Sequence, residues 1–125
     1  MRMLRTTQAL PTETWSFEAF TGTYDGQGMP DYDSPVSFEA NVLEYASGGP
    51  GAEFLEMPDG SKHRIPLTLY VRGDAANVPE EEDRLTRGSD ARAFICAEKK
   101  IVTGLWYERN QADHYRLALK LEGDA

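Results

Sequence analysis

The residues here with the chemistry for a site are two histidines, one cysteine and several groups of carboxylates. Asp113 and His114 are neighbours in sequence, and Ser16 or Ser89 would supply the nucleophile of a hydrolase. The pattern argues against it. No GxSxG elbow or HExxH is present, and adjacent residues in extended chain point to opposite faces, so Asp113 and His114 are expected to stay apart. His63 opens a strand after a lysine. Cys96 lies between Ile95 and Ala97, where a thiol serves as a small inert hydrophobe. As the single cysteine it leaves no intrachain disulfide and no multi-cysteine zinc site. Asp25, Asp31 and Asp33 surround Gly26 and Gly28, which invites a calcium reading. Their order does not fit an EF-hand loop, and acidic loop residues ordinarily solvate turns. Arg72-Gly73-Asp74 reads as a strand end and its turn. The expectation is therefore no enzyme, no metal and no cofactor.

The elements that would hold these residues read as strands. From His63 to Arg84 the chain runs HRIPLTLYVRGDAANVPEEEDR, and Ile65, Leu67, Leu69 and Val71 occupy every second position, the period of a half-buried strand. Gly73-Asp74 ends it, a polar loop carries Glu80, Glu81, Glu82 and Asp83, and extended chain resumes at Leu85. Trp15, Phe17 and Ala19 begin an aromatic-rich strand expected to reach Tyr24. Val36, Phe38, Ala40 and Val42 give a second, expected to pair antiparallel with the first or with a later strand. In ARAFICA, apolar on both sides, the spacing predicts a central strand; Glu98 to Lys100 are expected to turn it, and Ile101 to Tyr107 to run extended. Tyr115, Leu117, Leu119 and Leu121 predict a last strand, because a two-residue period outweighs the helix propensity of Leu, Ala and Lys.

Together these predict an all-β fold: a small antiparallel barrel of about six to seven strands, with an N-terminal arm over residues 1–13, one domain over 14–123 and a Gly-rich loop over 46–62. A chain of 125 residues supports a single core. In the loop, Phe54, Leu55 and Met57 are apolar. Either they tuck onto the barrel or they project against another subunit. A mean hydropathy of −0.56 is a little polar for a compact monomer and suggests some arm or loop ordered by neighbours. A formal net charge of −8 disfavours tight nucleic-acid binding and suits a wall along which DNA slides without sticking. The aromatics Trp15, Phe17, Trp106, Tyr107 and Tyr115 are accordingly read as core rather than as base-stacking groups. No apolar run has the length of a signal peptide or a membrane span, so a reducing cytoplasm and no membrane are expected.

The order of "TYDGQGMPDY", a strand ending at Val42, the loop, "LTLYVRGDAANVPEEEDRL" and "HYRLALKLEG" resembles the small head-completion proteins of tailed bacteriophages. These are also called stoppers, head-closure or head-tail connector proteins. The likeness runs from about Thr14 to Gly123. It implies a virion neck protein assembled in the host bacterial cytoplasm, as a ring of identical barrels, a hexamer or dodecamer. The ring would sit between the portal-adaptor and the tail or tail-terminator proteins, with DNA passing through without sequence-specific binding. It also implies that loop 46–62, with Phe54, Leu55 and Met57, can close the channel, and that the arm lies on a neighbour. Glu80, Glu81, Glu82 and Asp83 would face a lumen or a partner ring. A tail-completion or terminator protein of the same neck is the nearest alternative, and a monomeric cytoplasmic β-barrel binding module is the alternative from another class.

Overall fold

The fold is seen in a computed structural model that describes residues 10–45, 53–56, 58–88, 91–103 and 113–123. Among them are ten strands and no helix: β1 (Thr12–Glu18), β2 (Phe20–Tyr24), β3 (Pro30–Tyr32), β4 (Val36–Glu44), β5 (Glu53–Glu56), β6 (Lys62–Ile65), β7 (Leu67–Arg72), β8 (Arg84–Arg87), β9 (Ala93–Val102) and β10 (His114–Leu121). Six close into an antiparallel barrel in the order β1-β4-β7-β10-β9-β8, with β8 pairing back onto β1. Closure satisfies both edges of every barrel strand, which removes the hazard of open edges.

Alternation explains the core. Trp15 and Phe17 from β1, Phe38, Ala40 and Val42 from β4, and Leu67, Leu69 and Val71 from β7 all point inward. Leu85 from β8, Phe94 and Cys96 from β9, and Leu117 and Leu119 from β10 complete the same cluster. The Trp15 and Phe94 rings meet at 5.6 Å, and the Phe17 ring stands edge-on to Phe38 at 5.5 Å, geometries that aromatic quadrupoles favour.

The outer face is not uniformly polar. Ala118 on β10, Thr68 on β7 and Ala97 on β9 are buried there, because the hairpin β5–β6 lies across them. Ile65, Leu55 and Tyr45 form that second cluster with the two alanines, and the Tyr45 hydroxyl reaches Thr68 Oγ1 at 3.2 Å. Small outward side chains let a second layer pack closely.

Several expected boundaries move. The first strand breaks at Ala19, because β2 leaves the barrel to pair only with β3. The run from Ile65 to Val71 breaks at Pro66, whose ring nitrogen cannot donate to a ladder and whose carbonyl accepts the Tyr45 N–H instead. Glu98 to Lys100 do not turn the chain. β9 runs through them, with a bulge at Ala97 that sets Cys96 and Ala97 both inside packed clusters. The barrel also starts earlier than residue 14. Thr12 and Glu13 belong to β1, the Pro11 carbonyl accepts the Val42 N–H, and Asn41 Nδ2 donates to the Leu10 carbonyl. Within the expected loop 46–62, residues 53–56 form β5 and pair with residues 62–65. Residues 1–9 of the expected arm, 46–52 of the loop, Met57, and 104–112 lie outside the described residues.

Candidate interaction surface

The polar groups that could do chemistry serve the fold. Asp113 and His114 do meet, against expectation: His114 Nδ1 lies 3.1 Å from Asp113 Oδ2. Asp113 precedes β10, where strand alternation does not yet apply, and its N–H is tied to the Val102 carbonyl. The imidazole packs on the Tyr70 ring. Ser16 lies on β1, three strands away round the six-stranded barrel, bonded to Thr86 Oγ1 at 2.7 Å; Ser89 lies outside the described residues. His63 is 7% exposed, and its Nε2 lies 3.3 Å from Ser61 Oγ, which donates to Asp59 Oδ1 at 2.6 Å. With the serine proton committed to Asp59, the imidazole is the donor to Ser61. That chain of bonds places serine, not histidine, in the middle, the reverse of a nucleophilic triad. Hydrogen bonds from Ser61 hold the Asp59 carboxyl below the usual carboxylate range. Cys96 is fully buried, and burial pushes its thiol up to about 12, which leaves it protonated and inert.

The acidic groups separate by environment. Asp25 Oδ1 accepts the N–H groups of Gln27 and Met29 at 2.8 and 2.9 Å, an Asx-type turn. Among the described residues no three His, Cys, Asp or Glu side chains converge as metal ligands. Of the acidic run, Asp83 is turned inward: it is 4% exposed and accepts the N–H groups of Phe20 and Glu80. Its side chain is spent inside the fold. Glu80 pairs with the Lys99 ammonium, and Glu81 accepts the Lys99 N–H at 2.9 Å. Glu82 sits at the exposed apex with φ 77°, a left-handed conformation that a lone non-glycine residue takes at a tight turn. Lys99, packed over the Tyr115 ring at 4.8 Å, is therefore held by the acidic loop.

Among the described residues the fold also leaves several large apolar side chains uncovered. Phe54 on β5 is 63% exposed, whereas its neighbour Leu55 faces the barrel. Ile101 stands clear at the end of β9. The β2–β3 hairpin exposes Tyr24 at 62% and Met29 at 59%. There Phe20, partly buried, stacks against Tyr24 and Tyr32 at 5.6 and 6.0 Å. Sequence reasoning singled out Phe54 but not Tyr24 or Met29.

The signal that could have found the hairpin is electrostatic. Between Arg5 and Lys62 the chain has no lysine, arginine or histidine and ten carboxylates. Half the molecule thus carries the whole surplus of negative charge. No protein-family model matches the chain, and no curated protein matches it.

Proposed function

We propose that the chain is a structural component of a tailed-phage neck, a head-closure or stopper subunit that joins the portal-adaptor to the tail and helps retain and conduct the genome. The observation that carries the proposal is Phe54: a large ring left 63% exposed on a hairpin, outside a barrel already closed and filled. A ring so exposed is available to a sister copy or a neighbouring ring, either of which would cover it. The resemblance of the strand order and of "LYVRGDAANVPEEEDRL" to head-completion proteins supplies the setting. A net charge of −8 is compatible with a conduit that does not hold DNA. In this reading loop 46–62 reaches the channel, no side chain performs catalysis, and the tail-terminator position is the nearest variant.

One feature favours the rival, a monomeric cytoplasmic binding module: the barrel needs no partner to close. The two part on location. Phage carrying a nonsense mutation in this gene should make capsids that package DNA and then leak it, and reconstruction of wild-type particles should place the chain between portal and tail. Normal particles from the mutant, or purified virions without the chain, overturn the proposal.

A further inference from the structure

Among the described strands, β2 and β3 form a hairpin that stands apart from the barrel sheet. β2 and β3 pair with each other alone, and four of the five residues of β2 are exposed. A two-stranded hairpin is marginal in water by itself. At its base the Phe20 N–H donates to the Asp83 carboxylate, and the Asp33 N–H to the Ala19 carbonyl closes the hairpin. Its register slips between Phe20 and Tyr24, where Gly22 takes φ 85°, a bulge that twists the ribbon away from flat pairing. The outer part presents Tyr24 and Met29 beside Asp25, Asp31 and Asp33, all exposed, with no cation anywhere in that stretch of sequence. This surface fits a segment that carries positive charge together with apolar side chains.

The chain contains one such segment. Residues 1–9, MRMLRTTQA, combine Arg2 and Arg5 with Met1, Met3 and Leu4 and hold no carboxylate. They join the barrel at Leu10, ahead of β1, whereas the hairpin follows the far end of that strand. β1 has seven residues, and at about 3.3 Å per residue it separates the two features by about 20 Å. A second copy stacked or placed side by side can bring its segment to the hairpin without folding it back along its own barrel.

We infer that the acidic, aromatic β2–β3 hairpin is the docking site for residues 1–9 of a second copy of this chain. The contact joins two different patches, so it is heterologous, and repetition closes a ring or runs on as a filament. The inference deepens the neck proposal by naming the contact between like subunits. It is tested on the purified chain alone, so its failure leaves the virion test intact.

The test is charge reversal read by sedimentation velocity over a concentration series. Wild type should self-associate. Arg2→Glu/Arg5→Glu and Asp31→Arg/Asp33→Arg should each weaken association at least tenfold while keeping the wild-type melting curve. A head-to-tail contact makes a specific demand on mixtures: the two variants, each blocked alone, should co-assemble in alternation towards the wild-type distribution, because the acidic arm of one meets the basic hairpin of the other and the basic arm of the second meets the acidic hairpin of the first. The chain carrying all four substitutions should recover the wild-type distribution. Glu39→Arg/Asp74→Arg, the same change of charge on exposed residues elsewhere, should leave association unchanged. A monomeric wild type overturns the inference, as does association insensitive to Arg2 and Arg5, equal loss in the control, or a fourfold variant that stays dissociated. If either charge-reversal variant melts early, Arg2→Gln/Arg5→Gln and Asp31→Asn/Asp33→Asn replace the pair, and unchanged association in both overturns it equally.

Discussion

The Asp83 carboxylate accepts the backbone N–H of Phe20 at 3.0 Å, across 63 positions of sequence. Its other oxygen accepts the Glu80 N–H at 2.8 Å, and its own N–H and carbonyl engage Glu80 and Cys96. One residue thereby fixes the start of the β2–β3 hairpin and the acidic turn through its side chain, and the middle of β9 through its backbone. Asp83→Ala leaves two partly buried donors without their acceptor and should cost about 1 kcal/mol, the low end for such a loss. Glu81→Gln and Glu82→Gln, on exposed side chains, should each stay within about 0.5 kcal/mol. Urea unfolding of the three variants checks this, and equal stability of Asp83→Ala and wild type would show that the loop holds itself.

Arg87 ties the β1–β8 seam. Its Nε and Nη2 bind both oxygens of Glu13 at 2.7 and 2.6 Å, Nη1 reaches Glu44 at 3.2 Å, and the guanidinium lies 5.9 Å from the Trp15 ring centre. With side chains only 15% and 24% exposed, the Arg87–Glu13 pair is bidentate and partly shielded, better than a median surface pair. The hydrogen bond from Arg87 lowers the Glu13 carboxyl below its ordinary 4.5. A carboxyl depressed on folding stabilises fully above its unfolded value and loses that contribution as pH falls through the folded one. Arg87→Met should therefore cost about 1 kcal/mol at pH 7, and the gap from wild type should narrow steadily below pH 4.5. Paired denaturation curves at pH 7 and pH 3 would show it; a constant gap would assign the cost to packing on Trp15.

Much of this fold was legible because burial on one face writes a period of two. The runs through Phe38 and Val42, Leu67 and Val71, and Leu117 and Leu121 all became barrel strands with those residues inside or against the core. What was hidden depends on contacts far apart in sequence. Nothing local separates Asp83 from three neighbouring carboxylates, yet of the four it alone is buried. Lys99 and Lys100 read as a turn because paired lysines are usually solvated; Lys99 instead lies over Tyr115 under the Glu80–Glu81 arch. The β5–β6 hairpin was concealed by brevity, since EFLE is too short for its alternation to register.

Cys96 offers a probe of global opening. Its thiol is fully buried and its pKa is pushed to about 12 by burial, with Glu81 and Asp83 nearby adding to the effect. A disulfide reagent at pH 8 should leave the native chain unmodified for hours and titrate one thiol at once in denaturant. The slow native rate should follow urea concentration with the slope of global unfolding. Rapid native labelling would mean that β9 opens locally at its bulge.

Adjacent residues on β5 separate the two uses first imagined for the 46–62 stretch. Phe54 pairs across from Arg64 on the outer face, 63% exposed, while Leu55 pairs with His63 and packs on Ile65, Ala97 and Ala118. Leu55→Ala removes part of the layer that keeps those alanines dry and should cost about 2 kcal/mol, at the low end for core truncation because the side chain is only partly buried. Phe54→Ser should leave stability within about 0.5 kcal/mol, since most of its ring faces solvent. Deleting residues 48–58 would remove β5 and Leu55 together, so its effect on assembly would be confounded by loss of fold. The point substitution at Phe54 is the cleaner instrument: in phage, a folded Phe54→Ser chain should give particles that lose DNA faster than wild type. Undiminished retention, with Leu55→Ala still destabilising, would confine the role of β5 to covering the outer face of the barrel.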